Sequence, residues 1–326
     1  VALRLGKPLR IGAIDAGSNA IRLIVADVHS PSEWEQVETL RLPIRLGHHA
    51  FTGGMMTQRT IREAVDGFHE FREHMERSGV QLYRAVATSA TRESRNGGRL
   101  VELVRRRAGL ELERIPGDEE ARLVRTAVLH ALRHGPYPGV ILDLGGGSLE
   151  LNWLRGSGIR RVATLPLGAV RLMEEYGAAG SIAEHRAIEI QQHVEHIITS
   201  ALGMKSPRSA GYVVGCGGNA ETLARIAAGA GRNGYPALSM MYLREHLWTI
   251  LRLDVDHRKR LFKVRRDRAE VMGVAAIVLL TIGRWLGAKK FIVPGVGVRE
   301  GIITDIAQSL FAPRGPIEYE NGRQRS

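Results

Sequence analysis

Three glycine-bearing turns follow apolar segments: Ala16-Gly17-Ser18-Asn19, Gly145-Gly146-Gly147-Ser148 and Cys216-Gly217-Gly218-Asn219. Successive backbone N–H groups in such turns make anion-binding nests. Glycine lets the main chain approach a phosphate with no Cβ in the way. The first two turns come just after an aspartate, Asp15 and Asp143. Carboxylates there suit Mg²⁺, which takes oxygen ligands and keeps several waters; a turn-capping aspartate is the plainer alternative. Glu150 lies on the outgoing side of the second turn, where a tight hairpin can face it back toward the same site. Gly117-Asp118-Glu119-Glu120 places acids in a first helical turn. They complement the helix dipole, or one of them is a base that activates water at the mouth of a phosphate cleft.

These residues need elements to hold them. The pattern predicts strands at 10–15 and 21–28 joined by the first turn, as a hairpin. Thr60 with Glu63 reads as a capping box, with Ile61, Val65, Phe68 and Met75 at helical spacing behind it and Gly79 ending the helix. Strands follow at 83–88 and 110–115, and helices at 96–108 and 117–134. Pro136 and Pro138 break the chain. The motif Asp15-Ala16-Gly17-Ser18 is then answered by Asp143-Leu144-Gly145-Gly146-Gly147-Ser148, which suggests an internal duplication. Ser181 with Glu184 reads as the cap of a helix to about Leu202. Strands at 212–215 and 290–293, and helices at 220–229, 271–286 and 299–310, complete the pattern. Strands and helices alternate in both halves, which predicts two α/β domains: residues 1–134 and 135–312, with a polar tail at 313–326.

The chain has 326 residues, 44% hydrophobic and 25% charged, as in an ordinary globular protein. Its single cysteine, Cys216, excludes an intramolecular disulfide and fits a reducing compartment. With residues 1–10 lacking an apolar signal core, a cytoplasmic location is expected. The longest apolar stretch, Val271 to Ile282, is flanked by Arg268, Glu270 and Arg284 and falls short of the ~20 residues of a membrane span. A buried helix and no membrane partner are expected. The net charge of +12 and pI near 10.4 point to polyanionic ligands.

Taken together, IGAIDAGSNAIRLIV at 11–25, VATSATRESRNG at 86–97, PGDEEARL at 116–123, VILDLGGGSLEL at 140–151, LPLGAVRLME at 165–174, VVGCGGNAETLA at 213–224, RAEV at 268–271 and GVREGI at 297–302 resemble the exopolyphosphatase / guanosine pentaphosphate phosphohydrolase family. This is a branch of the actin, Hsp70 and sugar-kinase superfamily, and the resemblance covers residues ~10–310. It implies an α/β fold of two ribonuclease-H-like domains with phosphate bound in the cleft between them. Glu120 matches the catalytic base. Asp143 and Glu150 match the acids that handle Mg²⁺ and water. Ser18, Asn19 and Arg22 match the first phosphate loop; Gly145, Gly146, Gly147 and Ser148 the second; Gly217 and Gly218 the third. Arg92 matches a phosphate-contacting arginine. The implied reaction is hydrolysis of a terminal phosphoanhydride of inorganic polyphosphate, or of the 5′-γ-phosphate of guanosine pentaphosphate, by water without a covalent intermediate. A homodimer is also implied.

The chain departs from the family pattern at Ala20, Leu149, Cys216, Asn219 and Glu270. A non-hydrolytic sensor of guanosine tetraphosphate or pentaphosphate, or of polyphosphate, is therefore the rival reading. Nothing marks the second-substrate pocket of a kinase. The run Arg258 to Arg268 carries net charge +6, as a polyphosphate track or as a solvated helix face. Aromatic residues are not interleaved with it, which argues against single-stranded nucleic acid. His193 and His196 lack a third metal ligand in sequence, and the His48-His49 pair has no sequence-level account.

Overall fold

The protein is described by a computed structural model covering residues 7–204, 211–227, 229–230 and 234–311. The first sheet is formed by β1 (Leu9–Ala16), β2 (Ile21–Ser30), β3 (Glu33–Leu42), β4 (Leu82–Ala87) and β5 (Leu112–Arg114) in the order β3-β2-β1-β4-β5. β1, β2 and β3 are antiparallel neighbours, whereas β4 and β5 run parallel to β1. The second sheet contains β6 (Val140–Leu144), β7 (Leu149–Arg155), β8 (Gly158–Leu165), β9 (Val213–Cys216), β10 (Gly229–Ala230), β11 (Pro236–Ser239) and β12 (Lys290–Ile292). Its core, β8-β7-β6-β9-β12, repeats the order and directions of the first sheet, with β11 and β10 added at one edge. The duplication seen in the two short motifs therefore extends to whole sheets.

Helices α1 (Ala50–Gly53), α2 (Gln58–Arg77), α3 (Ser89–Glu93), α4 (Gly97–Leu103) and α5 (Gly117–Ala131) belong to the first half of the chain. The second half carries α6 (Ala169–Glu175), α7 (Glu184–Leu202), α8 (Gly218–Ala227), α9 (Met240–Arg252), α10 (Val255–Phe262), α11 (Arg266–Leu286) and α12 (Val298–Leu310). One core lies outside the first sheet, where Phe68, Phe71 and Met75 of α2 meet Ile14, Leu23 and Val25. A second lies outside the other sheet and is built on α11. The third joins the halves: Ile11, Ala13 and Ile24 of one sheet and Ile141 and Val214 of the other enclose Leu123 and Val124 of α5 and Ile302 and Ile303 of α12. α12 follows the second sheet in the chain yet packs on the first, where Trp34 Nε1 donates to Thr304 Oγ1 at 3.1 Å.

Several local expectations shift. The N-cap of α2 is Thr57, whose hydroxyl accepts from Thr60 N at 3.0 Å; Glu63 pairs with Arg59 instead of closing a box. Ser181 does not cap α7, which starts after Ala183. The segment before it is pinned by tertiary bonds, Ile182 N to Leu251 O at 2.8 Å and Arg258 Nη2 to Gly180 O at 2.8 Å. α11 is longer than its uninterrupted apolar stretch: 21 residues with a window of mean hydropathy 1.7. By length and composition it could cross a membrane, but 78% of that window is buried inside the protein. The segment 313–326 lies outside the described residues.

Candidate active site

Strand periodicity selects which side chains meet. Side chains two apart share a sheet face, so Ile11 and Ala13, which pack toward α5 and α12, put Asp15 on the same inner face. Ile141 does the same for Asp143. In the antiparallel registers Asp15 stands opposite Arg22, and Asp143 opposite Glu150. The two sheets thus present Asp15, Arg22, Asp143 and Glu150 toward the layer between them. The first turn of α5 delivers Glu120 into that layer.

The resulting cleft is lined by Ser18, Asn19 and Arg22 from the first loop, Gly145 and Gly146 from the second, and Gly217 and Gly218 from the third, together with Asp15, Glu120 and Asp143. The remaining expected site residues stand behind this wall. Arg92 donates from Nη1 to Glu120 at 3.2 Å and to Ile115 O at 3.0 Å. Ser148 and Glu150 are buried. Gly147 packs so tightly that a Cβ on it would fall 2.3 Å from Ser89 Oγ.

The three loops fit together through glycine. A Cβ on Gly146 would lie 2.8 Å from Ser18 Cβ, and Ser18 and Ser89 share a hydroxyl hydrogen bond of 3.0 Å. Gly217 has φ +85°, and a side chain there would reach within 2.5 Å of Asp143 Oδ1. At Gly218 a Cβ would collide with the Arg268 guanidinium, 2.0 Å from Nη2.

The second loop owes its polarity to α6. The carbonyl of Gly145 accepts from Ala169 N at 3.1 Å, and that of Gly146 from Val170 N at 2.8 Å. The carbonyl of Gly147 accepts from Arg171 Nε at 2.7 Å. In a trans peptide plane the C=O and the next N–H point opposite ways. Three carbonyls turned toward α6 therefore turn the N–H groups of 146, 147 and 148 away from it. That arrangement is an anion nest.

The acids are crowded and dry. Burial pushes Glu120 up to about 8, opposed by Arg92 and reinforced by Asp143 and Asp15. Burial, with Asp15 and Glu221 adding negative charge, brings Asp143 to about 7. Glu150 is held well above the usual carboxylate range by burial, then by Glu120 and Asp143. Among the described residues, Asp143 Oδ1 and both Glu150 carboxylate oxygens have no well-formed hydrogen bond, although the Ser148 hydroxyl stands close enough to Glu150 to lower its pKa slightly. Buried acceptors of this kind call for a cation or a proton. Among the described residues no three His, Cys, Asp or Glu side chains are grouped to hold a metal unaided. The unpartnered oxygens of Asp143 and Glu150 would fit Mg²⁺, which is held by one or two carboxylates and takes its other ligands from water and phosphate.

Several cleft residues were not placed at this site by the sequence reading. Arg268 is 8% exposed, lines the cleft and is drawn down to about 9, first by burial and then by Arg22. Its signal was the RAEV motif, obscured by the surrounding basic run. Arg299 and Glu300 enter from the first turn of α12, inside the GVREGI motif. The basic run does not form one track: Arg258 is fully buried and donates to the carbonyls of Ile250, Ala269 and Gly180. Cys216 is buried beside Asp143 in the β6–β9 register, and burial raises its thiol well above the ordinary value, against a nucleophilic role.

Comparison with known proteins agrees with this architecture. The Ppx/GppA phosphatase family matches residues 24–310. Exopolyphosphatase 1 of Mycobacterium tuberculosis is 27% identical over 304 residues, covering 90% of this chain and 87% of that protein. The Aquifex aeolicus Ppx/GppA family member superposes with a TM-score of 0.76 at 24% identity, covering 93% of this chain and 99% of that one. An exopolyphosphatase from Cytophaga hutchinsonii superposes with a TM-score of 0.81 at 21% identity, covering 92% and 98%. The fold is accordingly two ribonuclease-H-like domains of the actin, Hsp70 and sugar-kinase type with a cleft between them. From the match over most of its length, the chain belongs to the Ppx/GppA phosphatase family.

Proposed function

We propose that this protein hydrolyses the terminal phosphoanhydride of inorganic polyphosphate, releasing orthophosphate. The observation that carries the reading is Glu120, buried in the cleft, held by Arg92 at 3.2 Å and facing the glycine loops. A carboxylate of raised pKa at a phosphate cleft is suited to take a proton from an attacking water. The amides turned away from α6, together with Arg22 and Arg268, bind the terminal phosphates and spread the charge that develops on the transferred group. Asp143, with Glu150 beside it, would hold Mg²⁺. When bound, that ion neutralises phosphate charge and aids the leaving group. The name of the Mycobacterium relative supports polyphosphate as substrate.

Guanosine pentaphosphate is the second candidate, because the family's name joins both activities and the same cleft offers Arg22 and Arg268 from opposite lobes. The test is orthophosphate release from polyphosphate of several lengths and from guanosine pentaphosphate, with wild type and Glu120→Gln. A Gln variant as active as wild type would falsify the mechanism. Tight guanosine tetraphosphate binding with no turnover on either substrate would instead establish the sensor reading.

A further inference from the structure

Arg171 has one side chain and three tasks. Its Nε donates to the Gly147 carbonyl at 2.7 Å, which is the third and last carbonyl holding the second phosphate loop. Its Nη2 reaches Glu93 Oε2 at 2.6 Å, on α3 of the other lobe, next in sequence to the Arg92 that grips Glu120. Its guanidinium lies over the Phe51 ring at 4.2 Å, and its side chain is only 15% exposed. A planar guanidinium presents donors along two edges at fixed angles. Stacking fixes its plane, so where Glu93 stands sets where Nε points.

The other end of α6 is also tied to the first lobe. Glu174 takes His48 Nδ1 at 2.6 Å and His49 N at 2.9 Å. The short helix behind the loop is therefore clasped from across the cleft at both ends. Opening of the lobes would remove Glu93 and free the Arg171 side chain. It would leave the Gly145 and Gly146 carbonyls bonded, because their partners are backbone groups of the same lobe.

We propose that Arg171 is the positioning residue of the second phosphate loop, and that its pair with Glu93 makes the geometry of amides 146–148 depend on lobe closure. The inference rests on the hydrolytic reading above for its consequence, but not for its structural content. The loop is fully shaped only when the lobes are shut, so charge stabilisation and exclusion of bulk water arrive together.

The test compares wild type with Arg171→Met, Arg171→Lys and Glu93→Gln. The readouts are amide hydrogen exchange across 145–148 in saturating orthophosphate, polyphosphate kinetics and thermal melting. Arg171→Met should speed exchange at 146–148 and lower kcat by roughly 100-fold, the scale of a small misplacement of binding groups. KM should change little. Arg171→Lys, able to serve one partner at a time, should regain part of kcat. Glu93→Gln should give intermediate exchange and intermediate kcat, and it also serves if the Met variant does not fold. Wild-type exchange at 146–148 in Arg171→Met overturns the positioning role. Wild-type exchange in Glu93→Gln overturns the coupling to closure. If the wild type hydrolyses neither polyphosphate nor guanosine pentaphosphate, the functional reading fails while the exchange data still decide this one.

Discussion

Asp143 and Glu150 are direct cross-strand partners in the β6–β7 hairpin. The equivalent positions of the first hairpin, β1–β2, hold Asp15 opposite Arg22. The repeat thus gives one lobe a compensated pair and the other two acids. Like charges facing each other across a ladder are unfavourable, and both acids here are buried. A site that keeps such a pair stores a need for a cation or a proton.

That need sets the pH dependence of stability. In the unfolded chain Asp143 and Glu120 titrate near 3.8 and 4.5, whereas in the cleft they titrate near 7 and 8. Between those limits the native state holds protons the unfolded state lacks, so stability declines as pH rises. Glu150, raised in the same direction, adds to this. Glu150→Gln should therefore raise Tm more at pH 8 than at pH 5, by about 3 °C for a gain of the order of 1 kcal/mol, while lowering hydrolysis. Melts at the two pH values check it; an equal shift at both would count against buried acid repulsion.

Activity should run the other way. On the proposed mechanism Glu120 acts as a base only when ionised, so the ligand-free enzyme should show a rate limb rising through about pH 8. Bound Mg²⁺ favours ionisation of neighbouring acids, so chelation should move the limb to higher pH. Initial rates against pH, with Mg²⁺ and with a chelator, measure the displacement. Glu120→Gln should abolish the limb and reduce kcat by about 100-fold to 10,000-fold.

Gly168 is the backbone contact between α6 and the second loop. A Cβ there would lie 2.2 Å from the Gly147 carbonyl carbon and 2.3 Å from the Gly146 oxygen. Main chain cannot yield as a flexible side chain can, so Gly168→Ala should cost about 1–3 kcal/mol of stability and displace the loop. The check is a denaturant melt together with orthophosphate binding by calorimetry. Wild-type affinity in the variant would show that the loop tolerates the shift.

Two arginines of the basic run should separate cleanly. Arg258→Ala removes three hydrogen bonds, to the carbonyls of Ile250, Ala269 and Gly180, and should cost about 3 kcal/mol with no change in the salt dependence of KM. Arg268→Ala should weaken substrate binding and reduce the salt slope of log KM by about one. The paired measurement is stability by urea and KM over a salt series.

Residue types and spacing alone located the phosphate loops, the acids after the strands and the alternation of elements. Those features are local: a glycine turn after an apolar run ends in the same place whatever packs around it. β3 gave no such signal, because it is an edge strand whose exposed, charged side chains do not alternate with a core face. The cap of α2 was misplaced by one turn, since Thr57 and Thr60 lie on the same helical face and only packing selects between them. Charge counting grouped Arg258 with Arg268, though one supports a carbonyl cluster and the other faces the cleft, because burial is a property of the assembled chain. The brace from Arg171 to Glu93, which spans 78 residues, exists only once both lobes have folded against each other. Sequence determined which groups could bind phosphate and move a proton. Tertiary structure decided their protonation, since the distance between acids and the water excluded around them are set by how the two sheets meet.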